Sequence, residues 1–344
     1  MDQFQLKVVK TRQETKDAMT IFFEREDGEK ISYEAGQFLT FIFKKGTSEI
    51  RRSYSFSSTP GIDHLPAITI KRVVNGEISR FLIDHIKKND LLISIAPSGR
   101  FTLETDKSLR RQIFFITAGS GITPVFSLLK KILAEEPQSR VVLIYQNHDE
   151  KSIIFKNQLD GLQKKSPQQL LWISLLTKTA RYTHVSQRLN NFLLEKLVQA
   201  HLIKDMKQLF YLCGPPALMR MARFTLRLMG FAEDMIKTEH FTVEYVPLPP
   251  LIADTSDKKI MIHFQDKVHH IEVKYPTNIL QAALNNHIRL PYSCRGGRCS
   301  TCAARLLNGQ VKMSINEVLT EKDIREGWVL TCVGYAESDI ELKF

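Results

Sequence analysis

The sequence predicts a multidomain chain: an antiparallel β-barrel, then an α/β unit on a parallel sheet, then a small α+β unit. Three observations carry this reading. At 344 residues the chain exceeds the size at which a single core usually stops growing. Near Gln112 its grammar changes from closely spaced β runs to alternating strand and helix patterns. From Val243 to Lys258 the stretch VEYVPLPPLIADTSDK has no helical or strand period and reads as a linker. The expected borders are 1–107, 108–242 and 258–344, with 243–257 connecting the last two.

The first unit contains, among others, the β runs QLKVVK, FLTFIFK, AITIKRV and LLISIA, separated by Gly, Pro, Ser and Asp turn clusters. One helix interrupts them, SRFLIDHI from Ser79 to Ile86, with Ser79 as its expected cap. In the second unit QIFFITAG, RVVLIYQN, LWISLLT and QLFYLCG read as parallel strands. They alternate with the helical stretches PVFSLLKKILAEE, FKNQLDGLQKK, LNNFLLEKLVQ and PALMRMARFTLRLMG. The third opens with a strand pair, IMIHF and HHIEVKY, followed by the helix TNILQAALNN and a cysteine-rich loop.

An apolar fraction of 43% and a charged fraction of 25% are those of an ordinary globular protein and exclude a disordered chain. The net charge of +11 favours acidic partners or anionic cofactors, but the basic residues form no run and no aromatic interleave, which argues against nucleic acid. The N-terminal residues lack an apolar signal segment, so the expected address is the cytoplasm. The uncharged stretch Gln112 to Leu129 has Gly119, Ser120, Gly121 and Pro124 at its middle and reads as strand, loop and helix, so no stable membrane insertion is expected.

Cys213 stands alone, whereas Cys294, Cys299, Cys302 and Cys332 crowd the last quarter. Their C-x4-C-x2-C…C spacing is that of a plant-type two-iron cluster, and Gly296 and Gly297 let the backbone wrap it closely. Ser300 and Thr301 offer hydroxyl donors at the same place. A structural zinc site is the alternative, but zinc ligands more often come as two separated short-spaced pairs. The string CRGGRCSTC, followed by GQV and WVLTC, resembles a 2Fe-2S ferredoxin of the plant type, which implies a β-grasp fold for the last unit. Counted from Lys258 it holds 12 basic and nine acidic side chains, net +3, whereas free ferredoxins of this type are typically acidic.

Four further strings complete the picture. Arg52-Ser53-Tyr54-Ser55 ends a strand with a cation, a ring and a small hydroxyl, which suit a pyrophosphate, an isoalloxazine and the space beside its N5. Gly76-Glu77-Ile78-Ser79 precedes a helix whose N-terminal amides suit phosphate, an ordinary capped loop being the alternative. Thr117-Ala118-Gly119-Ser120-Gly121-Ile122-Thr123-Pro124 lies between strand and helix, where glycines admit a dinucleotide pyrophosphate. Leu212-Cys213-Gly214-Pro215-Pro216 ends another strand on the same ligand-binding edge, a buried structural Cys213 being the bland option.

In order and spacing these strings resemble the ferredoxin-NAD(P)+ reductase family from Gln5 to about Val243. The resemblance implies that Arg52, Tyr54 and Ser55 bind the flavin and that Gly76 and Ser79 bind its phosphates. It assigns Thr117, Gly119, Gly121, Thr123 and Pro124 to the pyridine nucleotide, with Cys213, Gly214 and Pro215 at the nicotinamide end. Glu239, in Glu239-His240-Phe241, falls where relatives place an acid near the flavin, so Tyr54, Ser55, Cys213 and Glu239 form the expected catalytic set.

The string Pro97-Ser98-Gly99-Arg100-Phe101 resembles members that use FAD, FMN being the alternative. Where relatives carry Asn-Arg after RVVLIY, this chain has Asn147-His148-Asp149-Glu150, which weakens a 2′-phosphate site and favours NADH over NADPH. Reductase first and ferredoxin last is similar to the reductase components of phenylacetyl-CoA epoxidase and related oxygenase systems. The expected activity is therefore a relay from NAD(P)H through flavin and 2Fe-2S cluster to a protein acceptor, an oxygenase component. A hybrid-cluster, haem or desaturase acceptor, or a redox-sensing role, stay open.

Overall fold

Alternation of buried and exposed side chains curls the first strands around one core. The structure, a computed structural model, describes residues 3–46, 48–178, 188–241 and 248–344. Strands β1 (Gln3–Thr15), β2 (Ala18–Arg25), β3 (Phe38–Lys45), β4 (Ser48–Ser55) and β5 (Ala67–Lys71) are followed by helix α1 (Glu77–His85) and strand β6 (Leu91–Ser98). Their antiparallel order is β4-β3-β6-β1-β2-β5, and a bridge between Phe56 and Ile68 brings the two ends together. Leu6 and Val8, Ile21 and Phe23, and Leu39 and Phe41 point inward at period two, as strands around a barrel core must.

Helix α1 begins two residues earlier than expected, and Ser79 does not cap it. Gly76 takes the cap position in an extended conformation with no side-chain hydrogen bond. The Ser79 hydroxyl instead folds back on the turn, donating to the Gly76 carbonyl at 3.2 Å and accepting from the Val73 N–H at 3.1 Å. The first-turn amides of α1 are thus left without a side-chain cap.

The second unit alternates strand and helix: β7 (Arg111–Ala118), α2 (Ile122–Glu135), β8 (Arg140–Asn147), α3 (Lys156–Lys165), β9 (Leu170–Leu176), α4 (Asn191–His201), β10 (Lys207–Cys213), α5 (Pro216–Leu228) and β11 (Ile236–Glu239). All pairs are parallel in the order β11-β10-β7-β8-β9. Central strand β7 is buried along nearly its whole length, sending Ile113 and Phe115 to one core and Phe114 and Ile116 to the other. The chain reverses direction across the sheet between β7 and β10, so the crevice at their carboxyl ends is the expected ligand site.

Residues 242–247, and with them the first part of the expected linker, lie outside the described residues. Residues 248–257 form no regular element, and the Tyr275 hydroxyl and Lys312 ammonium donate to the carbonyls of Pro250 and Leu251.

The last unit comprises β12 (Lys258–Phe264), β13 (Lys267–Val273), α6 (Ile279–Asn285), β14 (Ala303–Asn308), β15 (Val311–Met313), α7 (Glu321–Arg325), β16 (Trp328–Leu330), β17 (Gly334–Ala336) and β18 (Ile340–Lys343). A five-stranded sheet, β13-β12-β18-β14-β16, has its core against α6, whose Ile279, Leu280 and Ala283 are buried as the helical period predicts. The cysteine loop runs from α6 to β14, and Cys332 follows β16. Among the described residues, no helix is long and apolar enough to cross a membrane.

Candidate active site and cluster loop

The carboxyl ends of three parallel strands bring Thr117, Cys213 and Glu239 side by side, since Cys213 is in register with Thr117 on β7 and with Glu239 on β11. The Thr117 hydroxyl donates to the Cys213 carbonyl at 2.7 Å. From the barrel, Ser55 at the end of β4 donates to Glu239 Oε1 at 3.0 Å, so the sheet edge and the barrel share a buried hydrogen bond. Glu239 Oε2 is buried with no partner. Such an oxygen marks the place where a bound group would complete the site. Burial pushes the Glu239 carboxyl up to about 8, against the lowering effect of the Ser55 hydrogen bond. Burial and the neighbouring Glu239 charge push the Cys213 thiol up, so it is a neutral thiol and no thiolate nucleophile.

Tyr54 packs its ring 6.1 Å from Phe41, and burial pushes its hydroxyl up. Arg52 is exposed and donates to the Arg51 carbonyl at 2.7 Å. Gly76 and Ser79 stand at the start of α1, apart from the Ser55–Glu239 contact in sequence but in the same unit as Tyr54.

Gly119 and Gly121 form a single 3-10 turn between β7 and α2, with Thr123 and Pro124 in the first turn of that helix. The Thr123 hydroxyl donates to the Ser120 carbonyl at 3.0 Å, and the Tyr145 hydroxyl donates to the Gly119 carbonyl at 2.9 Å. A Cβ on Gly121 would lie 2.1 Å from the Cys213 carbonyl oxygen, so only glycine lets the turn lie against the end of β10. Gly121→Ala is expected to lower unfolding stability by about 3 kcal/mol through this overpacking, read as a shift in the denaturant midpoint; an unchanged midpoint would contradict it. Gly214 and Pro215 lead from β10 into α5. Lys71, at the end of β5, brings its ammonium to the turn, 3.3 Å from where a Gly119 Cβ would stand. Nothing in the local sequence singles out this cation, because the barrel delivers it from another unit.

The four predicted cluster ligands surround one loop. The Gly296 N–H donates to Cys294 Sγ and the Cys294 N–H to Cys299 Sγ, both at 3.4 Å. Hydrogen bonds from the Cys299 and Cys332 thiols, and from the N–H groups of Gly296 and Arg298, hold the Cys294 thiol well below the usual range. The Thr331 N–H and hydroxyl both donate to the Cys302 carbonyl, which fastens the distant Cys332 beside Cys302. Gly297 has φ +71, and a Cβ there would meet Ile315 at 2.8 Å. Four thiols strung around a loop of inward N–H groups fit a two-iron cluster, whose sulfides accept hydrogen bonds.

This loop is seated on the barrel. Arg51 of β4 donates to the Tyr292 carbonyl at 3.1 Å and lies 3.9 Å above its ring, and the hydroxyls of Ser53 and Ser293 are 2.6 Å apart. Arg100 pairs with Asp323 and lies 4.5 Å above the Trp328 ring, while Arg298 Nη2 donates to Glu317 Oε1 at 3.1 Å and His240 Nδ1 lies 3.6 Å from the same carboxylate. None of Arg51, Ser53, Arg100, His240 and Glu317 was among the predicted site residues. Two cavities of about 320 and 390 Å³ are lined by none of the expected flavin, nicotinamide or cluster residues, although Glu150 borders the second.

The oxidoreductase FAD-binding domain family matches residues 5–103, the oxidoreductase NAD-binding domain family residues 115–223, and the 2Fe-2S iron-sulfur cluster binding domain family residues 262–337. Across 97% of its length the chain is 30% identical to the ferredoxin reductase component of 3-ketosteroid-9-alpha-monooxygenase from Mycobacterium tuberculosis, 94% of which is covered. The chain belongs to the ferredoxin-NAD(P)+ reductase family, in the form with a C-terminal 2Fe-2S domain. This reductase is also 30% identical, over 98% of its length, to one of the subunits of 1,2-phenylacetyl-CoA epoxidase from Escherichia coli K12, 97% of which is covered. It shares the fold of phthalate dioxygenase reductase, with a TM-score of 0.60 at 20% identity over 99% of this chain and 98% of that one. FAD, NAD(P)H and a 2Fe-2S cluster are thus the cofactors of this reductase, as its motifs predict.

Proposed function

We propose that this reductase supplies single electrons from NADH to the oxygenase component of a multicomponent monooxygenase or epoxidase in the cytoplasm. The observation that carries this is the seating of the cysteine loop on β4, the strand that holds Arg52, Tyr54 and Ser55. When bound, the flavin accepts a hydride as an electron pair and releases it singly, and the two-iron cluster carries one electron at a time.

The chain's own residues position that chemistry. Ser55 and Glu239 hold the closed end of the flavin site, and the raised carboxyl keeps a proton there near neutral pH. Arg52 and Tyr54 bind the flavin, and Gly76 and Ser79, with the uncapped amides of α1, take its phosphates. Thr117, Gly119, Gly121, Thr123, Pro124, Gly214 and Pro215 line the nucleotide crevice, with Cys213 as a neutral wall at its nicotinamide end. Cys294, Cys299, Cys302 and Cys332 hold the cluster. The units span 1–107, 108–242 and 258–344, joined by 243–257.

Asp149 is spent capping the turn after β8, where it accepts from the Ser152 N–H at 2.9 Å, and Glu150 adds a second acid. That edge disfavours a 2′-phosphate. Anaerobic titration of the holoprotein with NADH and then NADPH tests the whole reading. Flavin bleaching followed by cluster bleaching is expected, with NADH preferred at least about tenfold, the scale of 1.4 kcal/mol. A cluster that stays oxidised while the flavin is reduced would refute the relay, and equal rates with both nucleotides would refute the preference.

A further inference from the structure

We propose that Arg51 and Ser53 on β4, with Tyr292 and Ser293 on the cysteine loop, form a clasp that sets the separation between the flavin and cluster sites. The clasp controls how fast an electron passes between them. The proposal rests on the relay reading and adds the residues that position it.

Side chains alternate along a strand, so Arg51, Ser53 and Ser55 leave β4 on one face. Ser55 reaches Glu239 at the flavin end, and the other two reach the cysteine loop. Ser53 immediately precedes Tyr54, and Ser293 immediately precedes Cys294, so their 2.6 Å contact joins the direct neighbours of a flavin residue and a cluster ligand.

Both barrel members are themselves held. The Ser53 hydroxyl is 2.7 Å from that of Thr40, its register partner on β3. The Arg51 Nε donates to Glu49 at 2.6 Å, and its side chain is only 10% exposed. On the loop side the Tyr292 ring is packed by two guanidinium groups, Arg51 at 3.9 Å and Arg295 at 4.4 Å from its centroid. A ring held by a planar cation plus a backbone hydrogen bond to the same residue fixes both distance and orientation, which a lysine ammonium does not reproduce. The electron bookkeeping is that of the relay: reduced flavin loses one electron, the oxidised cluster gains it, and NADH is the source.

The test compares the wild-type holoprotein with Arg51→Ala, Arg51→Lys, Ser293→Ala and the Arg51→Ala/Ser293→Ala pair. Stopped-flow absorbance follows flavin bleaching by NADH and cluster bleaching separately. Amide hydrogen exchange over β4 and residues 292–295 is measured on the resting protein. Flavin bleaching is expected to keep its rate while cluster bleaching falls by about tenfold in Arg51→Ala and further in the pair, as small misplacements of reacting partners do. Arg51→Lys should not restore the rate, and exchange should rise at the seam. Cluster bleaching at the wild-type rate in the pair, or flavin bleaching slowed by the same factor, would overturn the clasp. Should Arg51→Ala fail to fold, Ser53→Ala with Ser293→Ala decides by the same readouts. A wild-type cluster that NADH does not reduce would instead defeat the relay reading, and the exchange measurement would still judge the clasp.

Discussion

Replacing Cys302 by Ala is expected to leave a protein that NADH still reduces at the flavin but that delivers almost nothing beyond it. Cys302 is buried in the ferredoxin core, its carbonyl receives both donors of Thr331, and its thiol faces Cys332. Loss of one thiolate from a set of four removes the cluster and not merely one bond, because cluster binding and the ordering of its loop are a single equilibrium. The residues expected to bind flavin and nucleotide pack on cores distinct from that of the ferredoxin unit and keep them. Iron and sulfide should fall to background. Electron delivery to a protein acceptor should fall by more than about a hundredfold, exceeding what loss of an outer-shell partner costs, while reduction of a small acceptor that draws on the flavin persists. A Cys302→Ala protein that keeps two irons per chain would remove Cys302 from the ligand set.

The second large effect belongs to Glu239. Its carboxyl stands at about 8 in the folded protein, raised from an ordinary 4.5 chiefly by burial. Between those values the folded form keeps a proton that the unfolded chain has released, so the unfolded state binds fewer protons and stability falls as pH rises. The contribution is fully present below about 4.5, is lost progressively up to about 8, and changes no further above that. At roughly 1.4 kcal/mol per unit, the interval corresponds to a few kcal/mol as an upper figure. Glu239→Gln keeps the acceptor for Ser55 and removes the titration, so its stability should be flatter than wild type across this window. Denaturant unfolding at half-unit pH steps, with flavin concentration held constant, reads the difference; parallel curves would show that Glu239 does not keep its proton. Glu239→Ala should also slow flavin reduction by about a hundredfold if the retained proton serves the transfer, the scale of a lost acid–base group.

The 2Fe-2S domain was legible because three of its four expected ligands fall within nine residues, Cys294 to Cys302, so the loop's covalent geometry nearly dictates a cage. The nucleotide turn was legible for a similar reason: Gly119 to Pro124 is one continuous strand-to-helix passage. Short strands such as β15, β16 and β17, of three residues each, carry too few positions for any period to register. Ser79 reads as a cap because serine often is one, yet the turn just before α1 engages its hydroxyl with Val73 and Gly76 instead.

By itself the sequence determined the three architectures and the order of the FAD-binding, NAD-binding and 2Fe-2S domains, and it proposed the thiolate set, all of which depend on residues near one another along the chain. Only the tertiary structure decided how the units meet. It placed Ser55 on Glu239 across 184 positions, Ser53 on Ser293 across 240 and Arg51 on Tyr292 across 241. Contacts at such separations leave no spacing to read, because any exposed Arg, Ser or Tyr on a strand or loop looks the same until packing brings its partner to it.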